Sequence, residues 1–146
     1  MVKRILIVEN KLIDSQRARR VIESELHEFC LEFFQATSEV ESLERCDEWS
    51  SILLDIVIMD QALTYSNDEG QCGSSDVNLL KAGTRCYDQL RKNPRAAAVP
   101  VIFYTLLDQR SVPDDVFYVY KRRHPDEPEL AKMVGSIIRR SPSVIQ

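Results

Sequence analysis

The sequence lacks the cysteine and histidine spacings with which proteins bind zinc. None of its four cysteines forms a CxxC pair with another. The two histidines are far apart in the chain and belong to no ligand pattern. We therefore predict reduced thiols and no zinc site. The residues concerned are Cys30, Cys46, Cys72, Cys86, His27 and His124.

Long hydrophobic runs are also absent. The apolar stretch after Lys3-Arg4 is too short for a membrane span or for the hydrophobic region of a signal peptide. We expect a cytoplasmic protein with no membrane partner. The net charge of -4 argues against a surface that binds nucleic acid directly. With 146 residues, 44% of them hydrophobic, the chain is long enough for one globular domain.

Five apolar runs alternate with segments of helical pattern. Strands are predicted at 2–8, 31–34, 52–59, 99–104 and 116–120, and helices at 14–29, 38–49, 76–92 and 126–139. This alternation predicts an α/β fold, a doubly wound five-stranded parallel sheet flanked by helices. Residues 1–140 form the domain, and 141–146 are a tail or the start of a linker.

Polar side chains follow four of the predicted strands. Glu9 and Asn10 end the first, Asp60 the third, Thr105 the fourth and Lys121 the fifth. Right-handed crossovers bring the carboxyl ends of parallel strands to one edge of the sheet. Open α/β sheets bind their ligands at that edge, so these residues predict a functional site there.

Four segments carry a resemblance to a known family. They are Ile5-Leu6-Ile7-Val8-Glu9-Asn10, Asp55-Ile56-Val57-Ile58-Met59-Asp60, Val99-Pro100-Val101-Ile102-Phe103-Tyr104-Thr105 and Tyr118-Val119-Tyr120-Lys121. In this order they resemble the receiver domain of two-component response regulators, which has a flavodoxin-like fold. The resemblance extends over about residues 2–139. No single motif is specific, but the ordered set of strand ends is.

The resemblance implies a phosphoacceptor and a metal site. Asp60 corresponds to the aspartate that takes a phosphoryl group from a sensor histidine kinase or phosphotransfer protein. Glu9, Asn10, Asp60 and the backbone carbonyl of Ala62 correspond to the Mg²⁺ ligands. The chemistry is consistent, because Mg²⁺ prefers hard oxygen ligands and a carboxylate attacks phosphorus only when the phosphoryl charge is neutralised.

The resemblance also implies a switch. Lys121 corresponds to the lysine that pairs with the phosphoryl group, and Thr105 to the hydroxyl that turns toward it. Tyr118 corresponds to the aromatic residue that changes rotamer with the threonine. The expected result is a signalling switch, not a turnover enzyme, with a downstream protein partner. Whether the chain forms a homodimer is left open.

Five features depart from the family pattern. Asn10 replaces an aspartate, so weaker Mg²⁺ binding is expected because an amide supplies no charge. Leu106 is bulkier than the usual small residue and is expected to restrict access to Asp60. Arg122 replaces a proline, so the family's cis peptide is expected to be lost. The polar, Gly/Ser-rich loop at 61–75 is long, and the segment 106–115 has room for only a turn or two of helix.

These departures leave two alternative functions open. One is a degenerate receiver that binds proteins independently of phosphorylation. The other is a small flavodoxin-like enzyme or nucleotide-binding domain, which is disfavoured because neither GxGxxG nor GxxxxGK follows the first strand. The residues alone also allow Asn10 to be an ordinary turn residue. The sequence identifies neither the cognate kinase nor the output.

Overall fold

The structure, a computed structural model, describes residues 2–45, 48, 51–64 and 80–140. One parallel sheet contains five strands in the order β2-β1-β3-β4-β5. The strands are β1 Val2–Val8, β2 Cys30–Ala36, β3 Ile56–Met59, β4 Val101–Thr105 and β5 Phe117–Tyr120. The predicted doubly wound α/β fold is therefore confirmed, with the strand order reversing direction between β1 and β3.

Helices cover both faces of the three central strands, β1, β3 and β4, and most residues of these strands are apolar. Every residue of β3 and of β4 is buried. The outer strands β2 and β5 contain exposed positions, as expected at the edges of a sheet. Two separate hydrophobic clusters result, one on each face of the sheet. Because β1, β3 and β4 are parallel neighbours, their carboxyl ends lie at the same edge of the sheet.

Four α-helices flank the sheet in the described part of the chain. They are α1 Leu12–Glu25, α2 Glu39–Glu44, α3 Ala82–Lys92 and α4 Pro128–Arg140. Helices α1 and α4 pack on one face, and α2 and α3 on the other. No described helix is both long and apolar enough to span a membrane.

The predicted helix starts are partly right. Ser38 caps α2 by accepting a hydrogen bond from the Glu41 N–H at 3.1 Å. The predicted cap at Asp126 is wrong, because α4 begins at Pro128. Proline suits the first helical position, where its missing N–H costs nothing. The backbone N–H of Asp126 instead donates to His124 Nδ1 at 3.1 Å, in a turn before the helix.

The connection between β4 and β5 is short, as predicted. It contains only a three-residue 3-10 helix, Gln109–Ser111. Phe117 and Tyr120 on β5 remain 43% and 42% exposed. The described residues contain no cis peptide bond, in agreement with the expectation for Arg122.

Several predictions fall outside the described residues. They concern the Gly/Ser-rich part of the 61–75 loop, the predicted helix start at Asp76, the end of the second helix at Trp49, Cys46 and Cys72, and the tail 141–146. Where the third helix can be followed, it ends at Lys92 as predicted.

Candidate functional site

The polar residues at the strand ends lie at one edge of the sheet. Three backbone hydrogen bonds position them by extending the pairing of neighbouring strands. The bonds run from the Glu9 N–H to the Ala36 carbonyl at 3.0 Å, from the Asp60 N–H to the Val8 carbonyl at 3.0 Å, and from the Lys121 N–H to the Thr105 carbonyl at 2.8 Å. The placement of the site therefore follows from strand register.

Lys121 is at the centre of the cluster. Its side chain is 1% exposed, and its Nζ donates to Glu9 Oε1 at 2.5 Å and to Asp60 Oδ2 at 2.9 Å. A third carboxylate, Asp14 Oδ2, lies 3.3 Å from the same nitrogen. The structure thus brings together Glu9, Asp60 and Lys121, as the sequence predicted, and adds Asp14.

Asp14 was not predicted as a site residue. It lies in the first turn of α1 and is buried on the same side as Ala18, Val21 and Ile22. An acidic residue at the start of a helix usually interacts with the helix dipole, and the sequence offered that simple explanation. The signal that could have identified it was its spacing, because it continues the apolar face of α1 as a charged residue.

Two arginines contact Asp14. Arg17 Nη1 lies 3.3 Å from Asp14 Oδ1, and Arg123 Nη2 lies 3.3 Å from Asp14 Oδ2. With Glu9, Asp60 and Lys121, the connected cluster contains three carboxylates and three cationic side chains. Its formal charges balance when all six groups are ionised. Pairing of this kind is what allows charges to be buried.

The environment shifts the pKa values of Glu9 and Lys121. Burial, reinforced by the nearby charge of Asp60, raises the pKa of Glu9 to about 7. Burial disfavours the charged form of Lys121, but the charges of Asp60 and Glu9 outweigh it and raise the lysine pKa. Lys121 therefore stays protonated at neutral pH and holds the carboxylates together.

Thr105 and Tyr118 meet at one residue. The Oγ1 of Thr105, which is fully buried, accepts a hydrogen bond from the Leu107 N–H at 3.3 Å. The hydroxyl of Tyr118 donates to the Leu107 carbonyl at 2.7 Å. The two predicted switch residues are thus connected through the backbone of Leu107.

A cleft opens beside Asp60, with a volume of about 450 Å³. Asn10 and the Ala62 segment line it, and the Ala62 N–H donates to Asp60 Oδ1 at 3.3 Å. Leu106 also lines the cleft and is half exposed. Leu106 therefore lies at the cleft that contains Asp60, and its effect on access to Asp60 stays a prediction.

Gln61 is a second residue that the sequence did not single out. It is fully buried directly after Asp60, and its Nε2 donates to Thr84 Oγ1 and to the Ser111 carbonyl, each at 2.6 Å. Its Oε1 accepts from the Thr84 N–H at 2.7 Å. This side chain joins the start of α3 to the 3-10 helix. No sequence pattern identifies such a contact.

The donor set is compatible with a divalent cation, but only in part. Across the described ranges, no group of three or more His, Cys, Asp or Glu side chains is arranged to hold a metal. The carboxylates of Glu9 and Asp60, the Asn10 amide and the Ala62 carbonyl are hard oxygen donors of the kind that Mg²⁺ and Mn²⁺ accept. Lys121 contacts the carboxylates of both Glu9 and Asp60, so its positive charge already compensates part of the negative charge that would attract a cation.

Comparison with solved structures defines the class of fold. A response regulator from Hahella chejuensis has a TM-score of 0.63 at 16% identity, covering 99% of each chain. The phosphorylated cyanobacterial phytochrome response regulator RcpA has a TM-score of 0.63 at 14% identity, covering 100% of this chain and 98% of that one. The Mn²⁺-bound form of response regulator Rcp1 has a TM-score of 0.60 at 18% identity, covering 99% and 97%.

The chain therefore has the fold of response-regulator receiver domains. No protein-family model and no curated protein matches the sequence. The likeness at these identities defines the fold alone.

Proposed function

We propose that this chain is a response-regulator receiver in which Asp60 accepts a phosphoryl group and thereby changes the binding of a protein partner. The observation that carries the proposal is the contact of Lys121 Nζ with Asp60 at 2.9 Å and with Glu9 at 2.5 Å, at the carboxyl edge of a receiver fold. A lysine at this place supplies positive charge to an anion on Asp60. The roles assigned to Thr105 and Tyr118 belong to the same proposal.

A divalent cation, Mg²⁺ in the first instance, is part of the proposal. Glu9, Asp60 and the Ala62 carbonyl would hold it, with the Asn10 amide as a neutral donor. The cation supplies positive charge that offsets the charge of an incoming phosphoryl group. The Mn²⁺-bound form of response regulator Rcp1 has the same fold, which supports divalent-metal binding by a chain of this fold. Since Asn10 contributes no charge, the expected affinity is low.

An apolar rim supports a protein as the phosphoryl donor. Leu12 and Ile13 at the start of α1 are 66% and 62% exposed, next to residues that line the cleft. Leu80 and Leu106 on other sides of the cleft are also exposed. Exposed apolar residues around a polar centre are typical of protein interfaces. A sensor histidine kinase or phosphotransfer protein is the partner class proposed for this surface.

A phosphorylation-independent binding module is the second candidate. The observation that favours it is the charge balance of the cluster, because three cationic side chains already compensate the three carboxylates. Such a site has less need of a metal than one with uncompensated carboxylates. In this case the surface would bind its partner constitutively.

The intact mass of the protein after incubation with Mg²⁺ and acetyl phosphate separates the two candidates. We expect a phosphate-sized adduct on the native chain and none on Asp60→Asn. An adduct on both would place the acceptor elsewhere. A folded native chain that gains no adduct at high Mg²⁺ would favour the binding module.

A further inference from the structure

Arg123 has a backbone conformation that is unusual for its residue type. Its φ is 59°, in the left-handed region that residues other than glycine, asparagine and aspartate rarely adopt. Strain at a non-glycine residue persists only where surrounding contacts hold it, and it is most common at functional sites. The contact seen here is the one between the Arg123 guanidinium and Asp14, a buried residue of the candidate site.

The position of Arg123 differs from that of its neighbours in the sequence. Lys121 is buried among carboxylates, and Arg122 is exposed and bonded to Glu129 Oε1 at 3.0 Å. The side chain of Arg123 is 41% exposed while its Nη2 lies 3.3 Å from Asp14. Its guanidinium therefore contacts the cluster while part of the side chain is accessible to solvent.

The cleft connects Arg123 with the candidate phosphoacceptor. Asp60, Thr105, Lys121 and Arg123 all line the same cavity. Asp14 Oδ2 lies 3.3 Å from both Lys121 Nζ and Arg123 Nη2, so one carboxylate oxygen holds two cations at this cavity. An anion in the cleft would meet both positive charges.

We propose that Arg123 is a second cation that contacts the phosphoryl group on Asp60. This inference rests on the proposed function. A phosphoryl group bound to aspartate has three free oxygens, and a lysine provides only a point charge. The planar guanidinium of arginine can donate two parallel hydrogen bonds to phosphate oxygens. Arg123 thus adds directional contacts to the single positive charge of Lys121.

The covalent step is simple for a small donor. With acetyl phosphate, a carboxylate oxygen of Asp60 forms a bond to phosphorus. The bond between phosphorus and the acetate oxygen breaks, and acetate leaves with the electron pair. The charge of the transferring phosphoryl group is spread over its three equatorial oxygens, which Lys121 and Arg123 contact.

Phosphorylation kinetics of three chains test the inference. Arg123→Asn removes the guanidinium and keeps a residue that tolerates positive φ. Arg122→Asn is the matched control, since it removes the adjacent arginine, which is bonded to Glu129 outside the cluster. We expect Arg123→Asn to raise the half-saturating acetyl phosphate concentration about tenfold, the typical effect of one charge-assisted contact. Arg122→Asn should match the native chain.

An equal half-saturating concentration in Arg123→Asn and the native chain would overturn the inference while the proposed function stands. A merely structural role predicts a lower fraction of folded protein with an unchanged half-saturating concentration, so the thermal midpoint of each variant is measured beside it. That result also overturns the inference.

A second measurement decides the matter if the native chain takes up no phosphoryl group. In Asp60→Asn the cluster keeps three cations against two carboxylates, which favours anion binding. Titration with orthophosphate, followed by phosphorus NMR, should detect binding that weakens at least fivefold when Arg123→Asn is added. Absent binding, or equal binding by both chains, overturns the role of Arg123. Failure of the adduct alone would overturn the proposed function, and the orthophosphate titration would then decide separately whether Arg123 contacts an anion in the cleft.

Discussion

Two edges of this sheet differ in which side chains they bury and which they expose. At the carboxyl ends of β1, β3 and β5, charged side chains such as Glu9 and Lys121 are buried and paired with one another. Along β5, at the side of the sheet, aromatic residues such as Phe117 and Tyr120 are exposed. The first region satisfies its own charges within the chain, whereas the second leaves apolar surface uncovered. The contrast separates charges that are compensated within the chain from apolar surface that is available to a partner.

The largest expected effect comes from breaking the buried charge network. Lys121→Met leaves Glu9, Asp14 and Asp60 near one another without their shared cation. We expect a loss of about 3 kcal/mol in the free energy of unfolding, because removal of one partner leaves uncompensated buried charge. Urea denaturation in the absence of divalent cations measures it.

Lys132→Met is the control for that prediction, because Lys132 is exposed on α4. It should change the free energy of unfolding by less than about 0.5 kcal/mol. Adding Glu9→Gln to Lys121→Met should restore part of the loss, since it removes one of the repelling carboxylates. A Lys121→Met chain as stable as the native one would mean that the cluster contributes nothing to stability.

A steric change beside Asp60 should have the next largest effect. A Cβ at Gly83 would overlap the Asp60 carbonyl oxygen and lie 2.7 Å from Gln61 Cα, both backbone atoms. We expect Gly83→Ala to cost about 2 kcal/mol in thermal or urea unfolding, as overpacking does.

Gly135 in α4 offers the comparison for Gly83. The atoms that a Cβ would meet there belong to the ends of the flexible Glu25 and Arg139 side chains. Since alanine favours helix by about 1 kcal/mol over glycine, Gly135→Ala should be neutral or stabilising. Equal losses in the two variants would show that close approach to Asp60 is not what requires Gly83.

The smallest effect is expected at the exposed edge. Phe117→Ser should lower the free energy of unfolding by no more than about 1 kcal/mol, because Phe117 is 43% exposed and only part of its apolar surface is buried. If β5 is a site of self-association, the same change should lower the apparent mass at high concentration in sedimentation velocity. A large loss of stability would contradict the view that this ring is left uncovered.

The sheet and three members of the charged cluster could be predicted because they depend on local sequence. Apolar runs such as Ile56–Met59 identify strands, and a parallel sheet places the residue after each strand at a known edge. Glu9, Asp60 and Lys121 followed from that geometry. The same reasoning placed Thr105 after β4, and the structure assigns it to the last position of that strand.

The remaining site residues depend on tertiary contacts. In the sequence Asp14 resembles an ordinary acidic residue at a helix start. Only the folded chain shows its contact with Lys121, which is distant in the sequence. Arg123 requires a positive φ, which the sequence of a non-glycine residue does not signal. The failed cap at Asp126 has a local cause, since Pro128 competes for the start of the same helix and is favoured at its first position.

Gln61 has a mechanical consequence. Its one side chain is hydrogen-bonded both to Thr84 in the first turn of α3 and to the Ser111 carbonyl in the 3-10 helix before β5. If the start of α3 or the 3-10 helix moves, it either breaks its 2.6 Å hydrogen bond to Gln61 Nε2 or moves the other segment with it. The Gln61 side chain therefore couples the movements of these two segments, and Gln61 directly follows Asp60 in the chain. A protein that binds and displaces one of these segments would also displace the other.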